Sequence, residues 1–427
     1  ISCLPPAVSS IEELAEVIRE TAENKKEGEW IQGWGYDEEK FSEHRAPTRW
    51  DLDKGTEDFP VELLRSCSHV RSVNSKALEL AGITRDTKDP SGGEIDRDEN
   101  GEPTGILREN ARHLVGEILP EKSRQQVVDG IVDLGELLLS QGIVAVCDMG
   151  NIDSVDYYDY YVEAAEKGFR QEVGMYYIWD LIRKNPDFRW DDQRADRDKQ
   201  IHMSGIKIIA DGSVGGRTAC KKNRCQLSFH AMGKRTIDRI IERTCNEKPW
   251  ITGLPHLRIE HVTDPSEEAI REAAEKKIAF VTQSIFMYSE IESYANNLGM
   301  DWIKEIYPIQ HMIDSGVKIA LSTDAPATSW AVPSDPFPNI KCAVTRYAYD
   351  GTDCGRNNCI DIETAIQMYT REAAEIAGFK NIGTLKAGNR ASFALLSGDI
   401  LKVPSSEIDD IFVEATYMDG ELVYKKS

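Results

Sequence analysis

Several features that mark common classes of protein are missing from this sequence. It contains no Cys-x-x-Cys pair, and its nine cysteines are scattered without paired spacing. This pattern argues against a disulfide framework and favours reduced thiols in a cytoplasmic setting. No signal-peptide pattern and no apolar run of transmembrane length occur. The chain starts at Ile1 rather than Met, so we expect the true N-terminus to lie ahead of it.

Positive charge is also scarce. The 51 Lys and Arg residues face 73 Asp and Glu residues, which gives a formal net charge of −22. Such an acidic chain argues against nucleic acids and anionic membranes as partners, and solubility is the simplest explanation of the charge. We therefore expect a small-molecule substrate as the partner. The sequence leaves open whether the protein forms a homo-oligomer.

What the sequence does contain is an alternation of short apolar runs with helical segments. The strand-like runs lie at 143–147, 173–178, 206–210, 226–230, 257–261, 278–282 and 317–322. Helical segments such as 265–277 and 302–315 lie between most of them. Strand–helix alternation of this kind predicts an α/β fold with a parallel sheet.

Two gaps interrupt the predicted sheet. A (β/α)8 barrel needs eight strands, and seven are found. Because the helix at 11–25 would normally follow a strand, we expect the first barrel strand to be missing ahead of Ile1. Only seven residues, 218–224, lie between two of the predicted strands, whereas a parallel crossover needs about a dozen. Either residues are missing there, which we favour, or the two runs are not neighbours.

Three apolar runs lead to residues that can bind metal, namely His230, His261 and Asp324. Polar residues at the carboxyl ends of parallel strands are where α/β barrels place their chemistry. One histidine at such a position is more often a hydrogen-bonded structural residue. The recurrence at three strand ends instead predicts a metal site.

Several motifs together point to one family. They are His69-x-x-x-x-Asn74-Ser75, Gly92-Gly93-x-Ile95, Lys207-Ile208-Ile209-Ala210-Asp211-Gly212-Ser213, Ile259-Glu260-His261, Thr323-Asp324-Ala325-Pro326 and Gly383-Thr384-Leu385-x-x-Gly388. The chain resembles the amidohydrolase superfamily, in its YtcJ-like, amidohydrolase-3 branch, over nearly its whole length.

The resemblance implies an organisation in three parts. A metal-dependent (β/α)8 TIM-type barrel is expected over 1–29 and 121–378. An α+β region inserted after the first barrel strand, over the barrel mouth, is expected at 30–120. Residues 379–427 would be the C-terminal part of a small composite β-sandwich domain.

The resemblance also implies the metal chemistry. Lys207, His230, His261 and Asp324 would be metal ligands, and Asp324 would also act as the general base. Lys207 occupies the position that such enzymes can carbamylate to bridge two ions; its simpler interpretation is an ion pair with Asp211 or another carboxylate. One or two divalent ions, with zinc as the default, are expected, since mixed imidazole and carboxylate ligands suit zinc.

Substrate contacts are predicted for His69, Asp148 and Gln283. His69 lies in a segment that the family places over the barrel mouth, although it could be a cap or core residue. Asp148 and Gln283 each follow a predicted strand, and an ordinary role in a turn is the alternative for both.

The sequence departs from the family pattern at two points. No His-x-His occurs, although the family carries this ligand pair on its first strand. Lys234 follows Gly233 where the family has an aspartate. The predicted function is a metal-dependent hydrolase of carbon–nitrogen bonds other than peptide bonds, in amides, formamides or cyclic amides. The alternatives are an esterase or deacetylase using the same site, or a non-catalytic regulatory or binding protein that keeps the fold.

Overall fold

A computed structural model of the protein describes residues 1–5, 7–66, 69–150, 156–185, 188, 190–209, 220–221 and 223–426. The chain forms two compact units. One contains Ile1–Lys122 with Asp324–Pro333, and the other contains Ser123–Thr323 with Ser334–Ser427. The three predicted domain ranges, 1–29 with 121–378, 30–120 and 379–427, stay predictions.

The first unit is built on a mixed sheet of five strands in the order β1-β2-β3-β5-β4. The strands are β1 (Ile31–Tyr36), β2 (Val61–Arg65), β3 (Val70–Val73), β4 (Gly93–Arg97) and β5 (Pro103–Glu109). β1 and β2 run parallel, and the other neighbours are antiparallel. The β4–β5 hairpin turns at Asn100-Gly101, a residue pair typical of such turns, and Gly101 has a φ of 82° that favours glycine.

Short helices accompany this sheet. They span Ile11–Ala22, Arg49–Asp53, Ser75–Leu80 and His113–Gly116, with 3-10 turns at Glu38–Lys40 and Asn110–Arg112. Ser10 caps the start of the first helix, since its hydroxyl accepts a hydrogen bond from the Glu13 N–H at 3.1 Å. Its apolar face is buried at Leu14 and Ile18, in one core cluster with Ile31 of β1.

The second unit contains a sheet of seven parallel strands in sequence order. They are β6 (Ala145–Asp148), β7 (Glu172–Ile178), β8 (Ile201–Ile209), β9 (Gln226–Ala231), β10 (Leu257–His261), β11 (Ala279–Thr282) and β12 (Ile319–Leu321). Each of the seven predicted apolar runs forms one of these strands. The predicted α/β class with a parallel sheet is therefore confirmed.

Helices lie between and after the strands of the second unit. They span Arg124–Ser140, Tyr158–Glu166, Trp179–Ile182, Lys234–Thr244, Glu267–Lys276, Ile285–Ser289, Ile291–Leu298, Met300–Ile303, Ile309–Asp314, Pro336–Thr345, Ile362–Tyr369 and Arg371–Ala377, with 3-10 turns at Arg356–Asn358 and Ser405–Asp410. The predicted helix at 302–315 is in fact two, because Pro308 caps the second and cannot continue the first. None of the helices in the described ranges combines the length and apolarity needed to cross a membrane.

The sheet tests one of the two explanations offered for the short connection at 218–224. β8 and β9 are direct parallel neighbours, with Lys207 beside Ser228 and Ile209 beside His230. The proposal that these runs are not neighbours is therefore wrong. The connection extends from the end of β8 at Ile209 to the start of β9 at Gln226. That length satisfies the minimum for a parallel crossover, so the connection can close as it stands, and the expectation that residues are missing there stays a prediction. Residues 210–219 and 222 of this connection lie outside the described residues.

The end of the chain forms a small antiparallel sheet, β13 (Phe393–Leu396), β14 (Val413–Met418) and β15 (Glu421–Lys425). The β14–β15 hairpin turns at Asp419-Gly420, a residue pair that favours such turns. Thr416 of β14 donates its hydroxyl to the Leu139 carbonyl at 2.6 Å, which ties this sheet to the helix Arg124–Ser140 in the same unit.

A buried histidine lies near the amino end of the parallel sheet. His202 of β8 has no exposed surface, its Nδ1 is 3.2 Å from the Lys199 carbonyl oxygen, and its ring packs edge-on against Phe379. Burial, with Arg197 nearby, lowers the His202 pKa from 6.5 to about 4. Between pH 6.5 and pH 4, His202 is protonated in the unfolded chain but not in the folded chain. The free energy of unfolding therefore decreases as the pH falls through this range.

We predict that His202→Phe removes this acid-sensitive loss, which amounts to about 3 kcal/mol when converted from the pKa difference. The free energy of unfolding in urea should be measured at pH 7.5 and pH 4.5. The variant should lose about 2–3 kcal/mol less than the parent protein between these values. His113→Gln, at an exposed histidine, should behave like the parent. An equal loss in all three proteins would show that His202 does not titrate on unfolding.

Candidate active site

Two of the predicted ligands meet at the carboxyl ends of neighbouring strands. His230 lies near the end of β9 and His261 ends β10, where Glu260 is the register partner of His230. The His261 Nε2 and His230 Nδ1 atoms are 2.7 Å apart, and the ring planes meet at 70°. His261 and Val262 both have positive φ, 75° and 49°. Such values are unfavourable for these residues and are typical of backbone held at functional sites.

Gln283 fixes the orientation of the His261 ring. The Oε1 atom of Gln283, just beyond β11, lies 3.0 Å from His261 Nδ1, and its Nε2 donates to the Ser322 hydroxyl at 2.8 Å. Because a carbonyl oxygen only accepts, Nδ1 of His261 carries the proton and Nε2 presents a lone pair toward His230. This is the arrangement in which a hydrogen-bonded partner prepares an imidazole to bind metal.

The electrostatic surroundings keep His261 neutral. Its side chain is buried, and burial together with His230 and Lys207 lowers its pKa from 6.5 to about 3. A neutral imidazole is the form that can donate electrons to a cation.

Lys207 lies on β8, beside Ser228 of β9 and Ile178 of β7. It is buried, and its charge acts on Glu260, His261 and Asp148. It is therefore close to the histidine pair. The alternative partner Asp211 lies outside the described residues.

A buried ion pair lies on β10, next to the histidines. The Arg258 Nε and Nη2 atoms donate to the two oxygens of Glu260 at 2.6 and 3.0 Å, and the Ser228 hydroxyl donates to the same carboxylate at 2.6 Å. Arg258 Nη1 also reaches Tyr176 Oη at 3.4 Å. Although burial opposes ionisation, Arg258 holds the Glu260 pKa below its ordinary value. The carboxylate immediately before His261 is therefore charged and fully hydrogen-bonded.

No ion pair between Arg258 and Glu260 was predicted from the sequence. The signal was present, because residues two apart in a strand face the same side of the sheet. Opposite charges at such positions in a buried run predict an internal ion pair. The contact of Ser322 with Gln283 was not predicted either. The residues around Ser322 in the sequence carry no signal for it.

Asp148 ends β6, in register with Met175 of β7. Its oxygens accept from the Gly150 N–H at 3.0 Å and the Tyr161 hydroxyl at 3.1 Å. Burial raises its pKa. The bond to Gly150 fits the predicted alternative of a turn residue, and a contact with substrate stays a prediction.

The remaining two predicted site residues belong to the first unit. Asp324 follows β12 closely in sequence and has a φ of 55°. His69 lies just before β3, where its Nδ1 is 3.0 Å from Glu109 Oε2, and both side chains are largely exposed. The predicted roles of both residues stay predictions.

The side chains around the histidine pair supply only part of what a metal ion needs. Within the described ranges, no group of three or more His, Cys, Asp and Glu side chains is placed to hold an ion. The His230–His261 pair nevertheless suits a divalent metal, since it brings two imidazole rings together and Gln283 fixes the tautomer of His261. Catalytic zinc takes three protein ligands, so at least one more is needed.

We predict that Arg258→Met destabilises the protein by about 3–5 kcal/mol, because it leaves the Glu260 carboxylate buried without its cation. The double variant Arg258→Met/Glu260→Gln should recover a large part of this loss, since the neutral amide keeps the bond from Ser228 without burying a charge. Urea unfolding of the parent and both variants measures the difference. A double variant as unstable as the single one would contradict a charged Glu260.

The comparisons with known proteins cover almost the whole chain. The sequence model of the amidohydrolase family matches residues 2–424. The chain is 28% identical to the putative amidohydrolase YtcJ of Bacillus subtilis (strain 168), over 99% of this chain and 84% of that protein. It is 24% identical to the N-substituted formamide deformylase of Arthrobacter pascens, over 100% and 85%.

Solved structures agree on the fold. An uncharacterised metal-dependent hydrolase of Pyrococcus horikoshii OT3 aligns with a TM-score of 0.66 and 22% identity, over 95% of this chain and 83% of that one. A second, from Pyrococcus furiosus, aligns at 0.60 and 25% identity, over 90% and 80%. The predicted TIM-type fold with additional sheets is confirmed. The chain therefore belongs to the amidohydrolase family and is a hydrolase that acts on carbon–nitrogen bonds.

Proposed function

We propose that the protein is a metal-dependent hydrolase of amides, formamides or cyclic amides that are not peptides. The observation that carries this proposal is the His230–His261 pair, which lies at the ends of adjacent parallel strands with the His261 tautomer fixed by Gln283. The formamide deformylase and the metal-dependent hydrolase among its relatives support this substrate range and this metal dependence.

His230 and His261 are the proposed imidazole ligands of the metal, with zinc as the first candidate. Asp324 is proposed as a further ligand. Lys207 is proposed as another, in its carbamylated form, which would also remove an ammonium group from a buried strand. When bound, the ion would polarise the substrate carbonyl and lower the pKa of a water molecule.

The chain's own residues then hold and move groups around the substrate. Gln283 keeps His261 Nδ1 protonated, so that Nε2 stays free of a proton. The carboxylate of Asp324 takes the proton of the attacking water and returns it to the departing nitrogen, which leaves as a neutral amine. The Arg258–Glu260 pair keeps the strand beneath His261 in one arrangement.

We predict that His261→Ala loses both metal and turnover while it stays folded. Metal content after incubation with Zn²⁺ or Mn²⁺ should be stoichiometric for the parent protein and should drop well below one equivalent for the variant. His256→Ala is the matched control, because His256 is also buried but precedes β10 rather than ending it; it should keep its metal. A variant at His261 that keeps near-full activity would show that the ligand assignment is wrong.

Asp324→Asn should abolish turnover with little change in circular dichroism, because an amide cannot accept the proton from water. Turnover should be followed with a panel of formamides, cyclic amides and matched esters, at metal saturation. Near-full activity of the variant would remove Asp324 from the mechanism. Hydrolysis of the esters but not the amides by the parent protein would contradict the proposed substrate class.

A further inference from the structure

A cavity opens at the carboxyl ends of β6 and β7, within the second unit. Its volume is about 370 Å³, which is within the range of small-molecule sites. Aromatic side chains of Tyr157, Tyr177 and Phe188 line it, and the rings of Tyr177 and Phe188 lie 5.3 Å apart at 54°. Asp148 is a partly buried acidic group in this lining.

The hydrogen bonds of Asp148 leave its charge without an adjacent cation. Both donors, the Gly150 N–H and the Tyr161 hydroxyl, are uncharged. No ion pair to Asp148 occurs among the residues that the structure describes, and Lys207 acts on it only from a longer range. A carboxylate taken out of water is costly unless a positive charge comes near it. A cationic ligand would supply that charge.

The second carboxylate of the cavity is already satisfied. Asp156 is exposed, pairs with Arg194 at 3.0 Å and accepts from the Tyr177 hydroxyl at 3.0 Å. Lys184 also lines the cavity, but it is exposed and so is screened by solvent. Among the lining residues that the structure describes, the partly buried charge without a neighbouring counter-charge is therefore negative, that of Asp148.

Aromatic rings add a second attraction for cations. An ammonium group within about 6 Å of a tyrosine or phenylalanine ring is stabilised by the negative face of the ring, most strongly when water is excluded. The same rings contact the carbon chain that carries the ammonium group. Three aromatic side chains around one partly buried carboxylate thus suit an alkyl or arylalkyl amine: Tyr157, Tyr177 and Phe188.

We propose that this cavity binds a protonated amine on the substituent of the amide substrate, with the ammonium group at Asp148 and its carbon chain against Tyr177 and Phe188. This substrate class rests on the proposed hydrolase function. The cavity lies at the same end of the sheet as the histidine pair, because β7 ends at Ile178 beside Lys207 and β8 ends at Ile209 beside His230. A substrate anchored there has its amide toward the histidines.

The first test is binding, measured by calorimetry on the full chain. Benzylammonium should bind about tenfold more tightly than the neutral isostere benzyl alcohol. Asp148→Asn should bring the two affinities within about twofold of each other. Asp129→Asn, at an exposed carboxylate on the helix Arg124–Ser140, is the matched control and should keep the tenfold ratio. Equal binding of both probes by the parent protein, or a ratio unaffected by Asp148→Asn, would overturn the proposal.

The size of the cavity is tested at Leu181, which also lines it. Leu181→Trp should weaken benzylammonium binding, and Leu181→Ala should shift the preference toward larger arylalkyl amines. Nonspecific damage to the fold would weaken benzylammonium binding in both variants. It would not change the two variants' preferred amine size in opposite directions. Identical effects of the two substitutions would contradict a site at this cavity.

The second test is hydrolysis, which separates this inference from the proposed function. A mono-N-acetylated diamine should have a kcat/KM about tenfold above that of an N-alkyl acetamide of equal length, and Asp148→Asn should remove the preference. Hydrolysis of both amides at equal rates would contradict the proposed amine site but would agree with the proposed hydrolase function. Amine binding that depends on Asp148 without hydrolysis of any amide would overturn the hydrolase and leave the amine site standing.

Discussion

The bidentate pair between Arg258 and Glu260 is the interaction on which the inside of the parallel sheet depends. Both charges are buried, and each is satisfied by the other with help from Ser228 and Tyr176. A buried charge without such partners would destabilise the fold by several kcal/mol. Directly after the pair, His261 has a positive φ of 75°, and its ring lies against His230. The fold and the candidate site are therefore joined on one strand.

The position of chemistry at the strand ends follows from the same sheet. Parallel register places the ends of β9, β10 and β11 side by side, and this brings His230, His261 and Gln283 into one hydrogen-bonded row. Asp148 ends β6 at the same edge, beneath an aromatic cavity. One edge of the sheet thus carries both the histidine pair and a cavity with an acidic side chain in its lining.

Much of the fold could be predicted from local pattern. All seven parallel strands follow from apolar runs, and the turns at Gly101 and Gly420 follow from residues that favour them. The connection between β8 and β9 was misjudged, because only residues 218–224 were counted, although the predicted strands at 206–210 and 226–230 leave fifteen residues between them. The pairing of His230 with His261 follows from parallel register. The contact of Gln283 with Ser322 does not, since it depends on how far two loops extend beyond their strands.

The central claim is that His230 and His261 bind one divalent ion, and X-ray absorption at the metal edge tests it most directly. The protein should be loaded with one equivalent of Zn²⁺, and the outer-shell scattering of imidazole rings should be counted in the parent and in His261→Ala. We expect scattering from two imidazoles in the parent and a loss of one in any metal that the variant retains. A parent spectrum with oxygen ligands alone would contradict the claim.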